Sequence, residues 1–283
     1  MINLVEYSGT EPATDDWCEA VFDGDIVVFS GFPAVDALID HGRRLCCDAY
    51  DSDSPNRLEG LSDKEGFLTA ADQLDVAFNK APETISLFNT FFRATGLSPE
   101  DLYYDRWRLR TNPSHKTFLS DKTRHVPPHR DNWGSHIHCQ LNWWGPLFEI
   151  EPQQALLFYP DYWNAPIAND SEVWSLDALK EHRSRGKDYP TLPTVTAPLP
   201  VGSAQPLMLK PGEIACFSGA HLHGSATNRS GRCRFNIETR TVCPGDIARE
   251  RLAPNVDGPH DKPPANHWFR HCLNGDKLSS RQI

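Results

Sequence analysis

The chain has 283 residues, 39% of them hydrophobic and including fourteen Phe and eight Trp, with a mean hydropathy of −0.52 and a formal charge of −10. That is enough apolar material for one sizeable core, which a β-barrel with added helices can fill at this length. An acidic chain without a basic stripe argues against a nucleic-acid surface, and no run approaches the eighteen apolar residues of a membrane-spanning helix.

Residues 24–32 read as a buried strand, a β-branched apolar run bounded by glycines. Pro33 then opens a helix to about residue 47, because a proline in the first turn sacrifices no hydrogen bond. Val35, Leu38, Ile39 and Leu45 fit one face of it. Ser62-Asp63-Lys64-Glu65 has the Ser-x-x-Glu pattern of a capping box and starts a second helix. A third runs from Pro82-Glu83 through Phe92 to about Gly96, and Ser98-Pro99-Glu100-Asp101 caps a short further turn.

From Tyr103 the character changes to β. Residues 104–110 alternate, with Trp107 and Leu109 on one side and Arg106, Arg108 and Arg110 on the other. Residues 136–144 alternate as well: His136, His138, Gln140, Asn142 and Trp144 oppose Ile137, Cys139, Leu141 and Trp143. Short strands follow at 155–158, 208–210, 213–217 and 233–242, divided by turn signals such as Pro211-Gly212 and Ser230-Gly231. Residues 160–205 hold one helix, 175–185, between proline-rich loops, an insertion suited to a lid or to substrate recognition. Residues 244–283 are polar and are expected to form an extended tail packed over the domain. Many short strands after a helix-rich beginning predict a barrel or jelly roll flanked by helices. The expected division is a single domain, 1–283, with a helical part over 1–102, a β core over 103–243 and the tail over 244–283.

Glu6 and the acidic Thr14-Asp15-Asp16-Trp17 stretch stand where a secretory signal would place basic and apolar segments, so a cytoplasmic protein is expected. Its eight cysteines, at 18, 46, 47, 139, 216, 233, 243 and 272, show neither CxxC nor zinc-finger spacing and read as reduced, mostly buried thiols.

One set of residues carries chemistry. His129-Arg130-Asp131 follows Pro127-Pro128, and in an extended segment His-x-Asp sends both side chains the same way. His223-Gly224-Ser225 comes ninety-two residues after Asp131, and Arg234 eleven residues after His223. Two imidazoles and a carboxylate on one face of an octahedron hold redox-active ferrous iron and leave the opposite face open. An arginine nearby can clamp a carboxylate through two hydrogen bonds.

In these residues, with Asn228 and Ser230 after His223 and the opening run from Phe22 to Phe32, the chain resembles the non-haem iron, 2-oxoglutarate-dependent dioxygenases, and among them the phytanoyl-CoA dioxygenase-like group. The matches span about residues 20–242. The resemblance implies a double-stranded β-helix, the cupin-like jelly roll, and Fe(II) held by His129, Asp131 and His223. It further implies 2-oxoglutarate as cosubstrate, its far carboxylate on Arg234, and O2 as oxidant. The activity implied couples oxidative decarboxylation of 2-oxoglutarate to hydroxylation, or a related C–H oxidation, of a small organic substrate. Related halogenases replace the carboxylate ligand by a small residue; Asp131 favours hydroxylation.

Rival readings stand beside several of these positions. His221 shares a strand face with His223, but the Gly-Ser that follows His223 and the step to Arg234 favour His223. Arg232, in the turn, is expected to be solvated; Arg240, six residues beyond Arg234, is expected to reach the mouth of the site. Gln140 and Asn142 either bind the other end of 2-oxoglutarate or make ordinary cross-strand hydrogen bonds. Arg106, Arg108 and Arg110 either line the same cavity or form a solvated strand face. Trp133, two residues past Asp131, is a candidate pocket wall. The competing function is a cupin-like metal-binding protein or isomerase that uses no 2-oxoglutarate, and for it Arg234 would be dispensable.

Overall fold

The computed structural model describes residues 1–57 and 63–282. Strands β1 (Leu4–Ser8) and β2 (Ile26–Ser30) pair in parallel around the short helix α1 (Trp17–Asp23). Neither β1 nor α1 stands out in the sequence, where both are short and lack a strong apolar period. Helices α2 (Pro33–Tyr50), α3 (Lys64–Lys80) and α4 (Pro82–Ala94) follow. Pro33 and Pro82 open their helices as expected. Ser62 of the expected capping box lies outside the described residues; the cap of α3 is Asp63, whose carboxylate accepts from the Gly66 amide at 2.8 Å.

The remaining strands are β3 (Tyr103–Tyr104), β4 (Arg108–Asn112), β5 (Gln140–Pro146), β6 (Leu156–Phe158), β7 (Gln205–Leu207), β8 (Ile214–Ser218), β9 (His223–Ser225), β10 (Arg234–Val242) and β11 (Arg270–His271). They are punctuated by α5 (Asn132–Ser135), α6 (Leu176–Ser184) and α7 (Gly245–Ala248). The larger sheet runs β1-β2-β8-β5-β10-β3-β11, with β4 also on β10; the smaller runs β7-β6-β9. A bridge between His129 and His223 extends the smaller sheet beyond β9. From β4 onward the chain therefore visits the two sheets in turn, with β4, β5, β8 and β10 in one and the His129 segment, β6, β7 and β9 in the other. That winding is the double-stranded β-helix, and the fold class is mainly β with flanking helices.

Period-two alternation sorts the side chains of the larger sheet into two cores. Leu141 and Trp143 of β5, with Phe29, Leu109 and Ile237, face the helices, and Trp143 lies 5.2–5.6 Å in ring-centroid distance from Trp17, Phe29, Phe91 and Phe92. Trp144, Ala215 and Phe217 face the other way and close with Leu156, Phe158 and Leu207 of the smaller sheet. The polar residues of β4, β5 and β10 that share this inner face are the ones that build the site.

Three strand boundaries depart from the sequence reading, each for a local reason. The run 104–110 is broken between β3 and β4, because the Asp105 carboxylate accepts from the backbone amides of Arg106 (2.6 Å) and Arg240 (3.0 Å). The run 136–144 becomes strand only at Gln140. His136, at φ 55°, closes the helical turn α5 by donating its amide to the Asn132 carbonyl, so His136 and His138 never join the inner face. The expected strand 208–210 lies earlier, at β7; Lys210 instead opens the Pro211-Gly212 turn, its amide bonded to the Glu213 carboxylate at 2.7 Å. Helix α6 is capped by Ser175 within the expected span. No helix among the described residues is long and apolar enough to cross a membrane, and six of the eight cysteines are buried.

Candidate metal centre

His129 and Asp131 lie at the end of the segment that bridges to β9, and His223 is the first residue of β9. The two histidines exchange backbone hydrogen bonds in both directions at 2.9 Å, which sets their rings side by side with centroids 4.4 Å apart. Gly224 makes the close pairing possible: a Cβ there would sit 3.0 Å from the Val126 carbonyl oxygen and 3.1 Å from the Pro128 nitrogen. One ligand atom from each of His129, Asp131 and His223 falls within 4.8 Å of the others. His129 Nε2 is 3.5 Å from Asp131 Oδ1, and His223 Nε2 is 3.7 Å from Oδ2.

The outer nitrogens fix the tautomers. His129 Nδ1 lies 2.9 Å from the Pro127 carbonyl and His223 Nδ1 3.0 Å from the His221 carbonyl. A carbonyl only accepts, so each Nδ1 carries a proton, which leaves each Nε2 as the ring atom that faces Asp131 and can ligate a metal. Burial, and after it the neighbouring His129, push the His223 imidazole down to about 4, keeping it neutral. Burial alone would raise the Asp131 carboxyl, but Arg240 and then the two histidines outweigh it and hold it well below the ordinary carboxylate range. Two imidazole nitrogens and a carboxylate facing one another form a donor set that suits ferrous iron.

The carboxylate is itself oriented. Asn142 Nδ2 donates to Asp131 Oδ2 at 2.5 Å, Gln140 Nε2 donates to Asn142 Oδ1 at 2.8 Å, and Arg240 pairs with Asp131 Oδ1 at 2.9 Å and with Asp105 at 3.0 Å. Gln140 and Asn142 thus stand in a relay that ends on a ligand oxygen. Arg240, expected at the mouth of the site, sits on the Asp131 carboxylate.

Arg234 opens β10 on the same inner face. It is 2% exposed, its Nη1 donates to the Gln154 carbonyl at 2.7 Å, and its guanidinium lies 5.8 Å from the Trp144 ring centroid. Its Nε is buried without a partner, and among the described residues no carboxylate comes within ion-pair distance. Burial, reinforced by Arg110, pushes its pKa down to about 10. An unpaired buried cation is costly, and an incoming carboxylate would relieve it.

The other positions weighed in the sequence fall outside the ligand set. His221 is buried against Trp163, ring centroids 4.5 Å apart, and serves His223 through its carbonyl. Arg232 pairs with Glu151 at the surface. Trp133 lies beneath the His-x-Asp segment, its Nε1 donating to Asp257 at 2.7 Å. Arg106 pairs with Asp75 on α3, whereas Arg110 faces inward onto Glu238 at 3.0 Å. Two features had no legible signal: Asp105, which shares Arg240, and Asp257, which binds Arg130 between the ligands from 127 residues away.

No protein-family model and no curated protein matches the chain. Among solved structures, EctD from S. alaskensis with bound Fe is similar at a TM-score of 0.42 and 17% identity, over 89% of this chain and 83% of that one. A non-heme monooxygenase, ThoJ in its apo form, gives 0.39 and 15%, over 76% and 72%. EvdO2 from Micromonospora carbonacea var. aurantiaca complexed with 2-oxoglutarate gives 0.38 and 16%, over 60% and 64%. Likeness at this level is one of chain course, and the chemistry of the centre is read from its own residues.

Proposed function

We propose that the protein is an Fe(II)- and 2-oxoglutarate-dependent oxygenase, of the phytanoyl-CoA dioxygenase-like kind, that hydroxylates a small organic substrate. The observation that carries this reading is the pairing of a three-atom donor set, His129, Asp131 and His223, with the fully buried guanidinium of Arg234 on the same inner face, which has no carboxylate partner among the described residues. A metal-binding cupin without a dicarboxylate cosubstrate has no use for that guanidinium.

His129, Asp131 and His223 would hold the iron, and Arg234 the far carboxylate of 2-oxoglutarate. Iron and 2-oxoglutarate together supply the oxidising power for a C–H bond, with O2 as oxidant. What the chain contributes is orientation and dryness. The Pro127 and His221 carbonyls keep the imidazoles in one tautomer, and Asn142 and Arg240 hold the carboxylate in place. Trp144, Phe158 and Phe217 exclude water between the sheets. Asp131 fills the third ligand position with an anion, which supports hydroxylation over halogenation.

Anaerobic titration with Fe(II) and then 2-oxoglutarate, followed by visible charge-transfer absorption and by calorimetry, tests this reading. Wild type is expected to bind both. His223→Ala should lose the metal, and Arg234→Ala should keep it while binding 2-oxoglutarate about tenfold or more weakly, the scale of a lost charge-assisted bidentate contact. Iron binding with no affinity for 2-oxoglutarate would leave the cupin-like alternative standing.

A further inference from the structure

The inner face carries one more cation than the metal and cosubstrate account for. In the register of β4 against β10, Arg108 lies opposite Glu238, Arg110 opposite Asn236 and Asn112 opposite Arg234, so all three residues of β4 share the inner face. Leu109, between Arg108 and Arg110, belongs to the core under the helices, which confirms the alternation. Arg110 is matched by Glu238 and Arg240 by Asp131 and Asp105. Arg234 is the residue assigned above to the cosubstrate. Arg108 has no such partner in contact: its Nε is shielded from solvent with no hydrogen-bond partner, and among the described residues no carboxylate lies within ion-pair distance of its guanidinium, Glu238 and Asp105 acting on it only from further away.

Its position is distinct from that of Arg234. Arg234 stands at the start of β10, against Trp144 and the Gln154 carbonyl. Arg108 stands at the other end of the β4–β10 ladder, one inward position from Arg240, which reaches the ligand Asp131. We propose that Arg108 receives a carboxylate of the substrate, making the substrate a small organic acid held with its anionic group beside the metal centre. The inference rests on the oxygenase reading for the word substrate, but the anion site itself does not. A single negative charge suits the place better than a phosphate dianion, because the Asp105 and Glu238 carboxylates already act on Arg108. The planar guanidinium fork matches a carboxylate through two parallel hydrogen bonds.

The test uses the full chain loaded with Mn(II) in place of iron and saturated with 2-oxoglutarate, so that Arg234 is occupied. The probes are the n-alkyl monocarboxylates from acetate to hexanoate, each beside its primary amide, with proton relaxation of the probe reporting binding near the metal. The acids are expected to bind and the amides not. Arg108→Gln should weaken the acids by about tenfold or more, with Arg108→Lys intermediate. Amides binding as well as acids, acids binding unchanged in Arg108→Gln, or no acid binding at all would each overturn the assignment. So would a tenfold loss of 2-oxoglutarate affinity in Arg108→Gln, which would make Arg108 the cosubstrate clamp. Should wild type bind no 2-oxoglutarate, the oxygenase reading falls by itself, and the acids tested on Arg234→Gln still report on Arg108.

Discussion

Asp131 is held by two partners of different kind, and they predict different consequences. Asn142 is a neutral donor that fixes one carboxylate oxygen at 2.5 Å; Arg240 is a cation that fixes the other at 2.9 Å. Removing an outer partner of a metal ligand costs about 10–100-fold in metal affinity through lost orientation. Asn142→Ala should show that loss in full. In Arg240→Gln the same orientational loss is offset by removal of a positive charge that repels the incoming metal, so its affinity should fall less. Competition titrations with Fe(II) or Mn(II) decide this, and a larger loss in Arg240→Gln than in Asn142→Ala would contradict it. At this scale the sequence was legible where spacing alone implies geometry: a two-residue step puts His129 and Asp131 together, and the inner-face parity of Arg234 and Arg240 follows from their even separation. It was silent on Asp105, because nothing local to an aspartate at the end of β3 says that its carboxylate will pair across to β10.

Elements that carry an alternating or helical apolar pattern were legible, and those held by polar long-range contacts were not. Strands β2, β6, β8 and β10 and helices α2 and α4 fall where their periods place them. The start of β5 did not, since the α5 turn takes the residues after Asp131 out of the strand. The segment bearing His129 and Asp131 has no strand of its own. Arg130 anchors it: a 2% exposed guanidinium that donates to the carbonyls of Ala220 (2.5 Å) and Tyr162 (2.6 Å) and pairs with Asp257 at 3.1 Å. The same Asp257 carboxylate accepts from Trp133 and from the Ile167 amide at 3.0 Å, so one residue of the C-terminal region ties together the segment 130–133, which adjoins the candidate metal ligands, and the segment at Ile167. Asp257→Ala leaves the buried guanidinium uncompensated and should cost about 3–5 kcal/mol of unfolding free energy in urea titration, the range for breaking a buried pair. Metal affinity should fall with it. A loss below about 1 kcal/mol would mean that the carbonyls alone hold Arg130.

For the molecule as a whole, the buried histidines make stability a function of pH with a definite sign. Burial pushes His136 and His223 down to about 4 and His221 to about 3, from 6.5. The unfolded chain therefore takes up protons that the folded one refuses, and stability falls as pH drops from about 6.5 toward 4. Asp246 runs the other way: burial raises it to about 6, so protonation favours the folded state over part of the same range and cancels about one histidine. The remainder, about two protons, corresponds to a slope on the order of 3 kcal/mol per pH unit near pH 5. Lower still, Glu238 adds to the loss. Burial raises its carboxyl, but Arg110, Arg108 and Arg240 bring it down to about 2, and the stability it contributes disappears as pH falls from the ordinary carboxylate range toward that value. Against a typical folding free energy of about 5–15 kcal/mol, the metal-free protein should be well folded at pH 7 and should unfold cooperatively between roughly pH 5 and 4. Circular dichroism against pH, with urea titrations at pH 7, 6 and 5, measures the slope directly. A flat profile down to pH 4 would mean that these imidazoles are hydrated and, for His221 and His223, that the space between the sheets is wetter than the packing of Trp144, Phe158 and Phe217 implies.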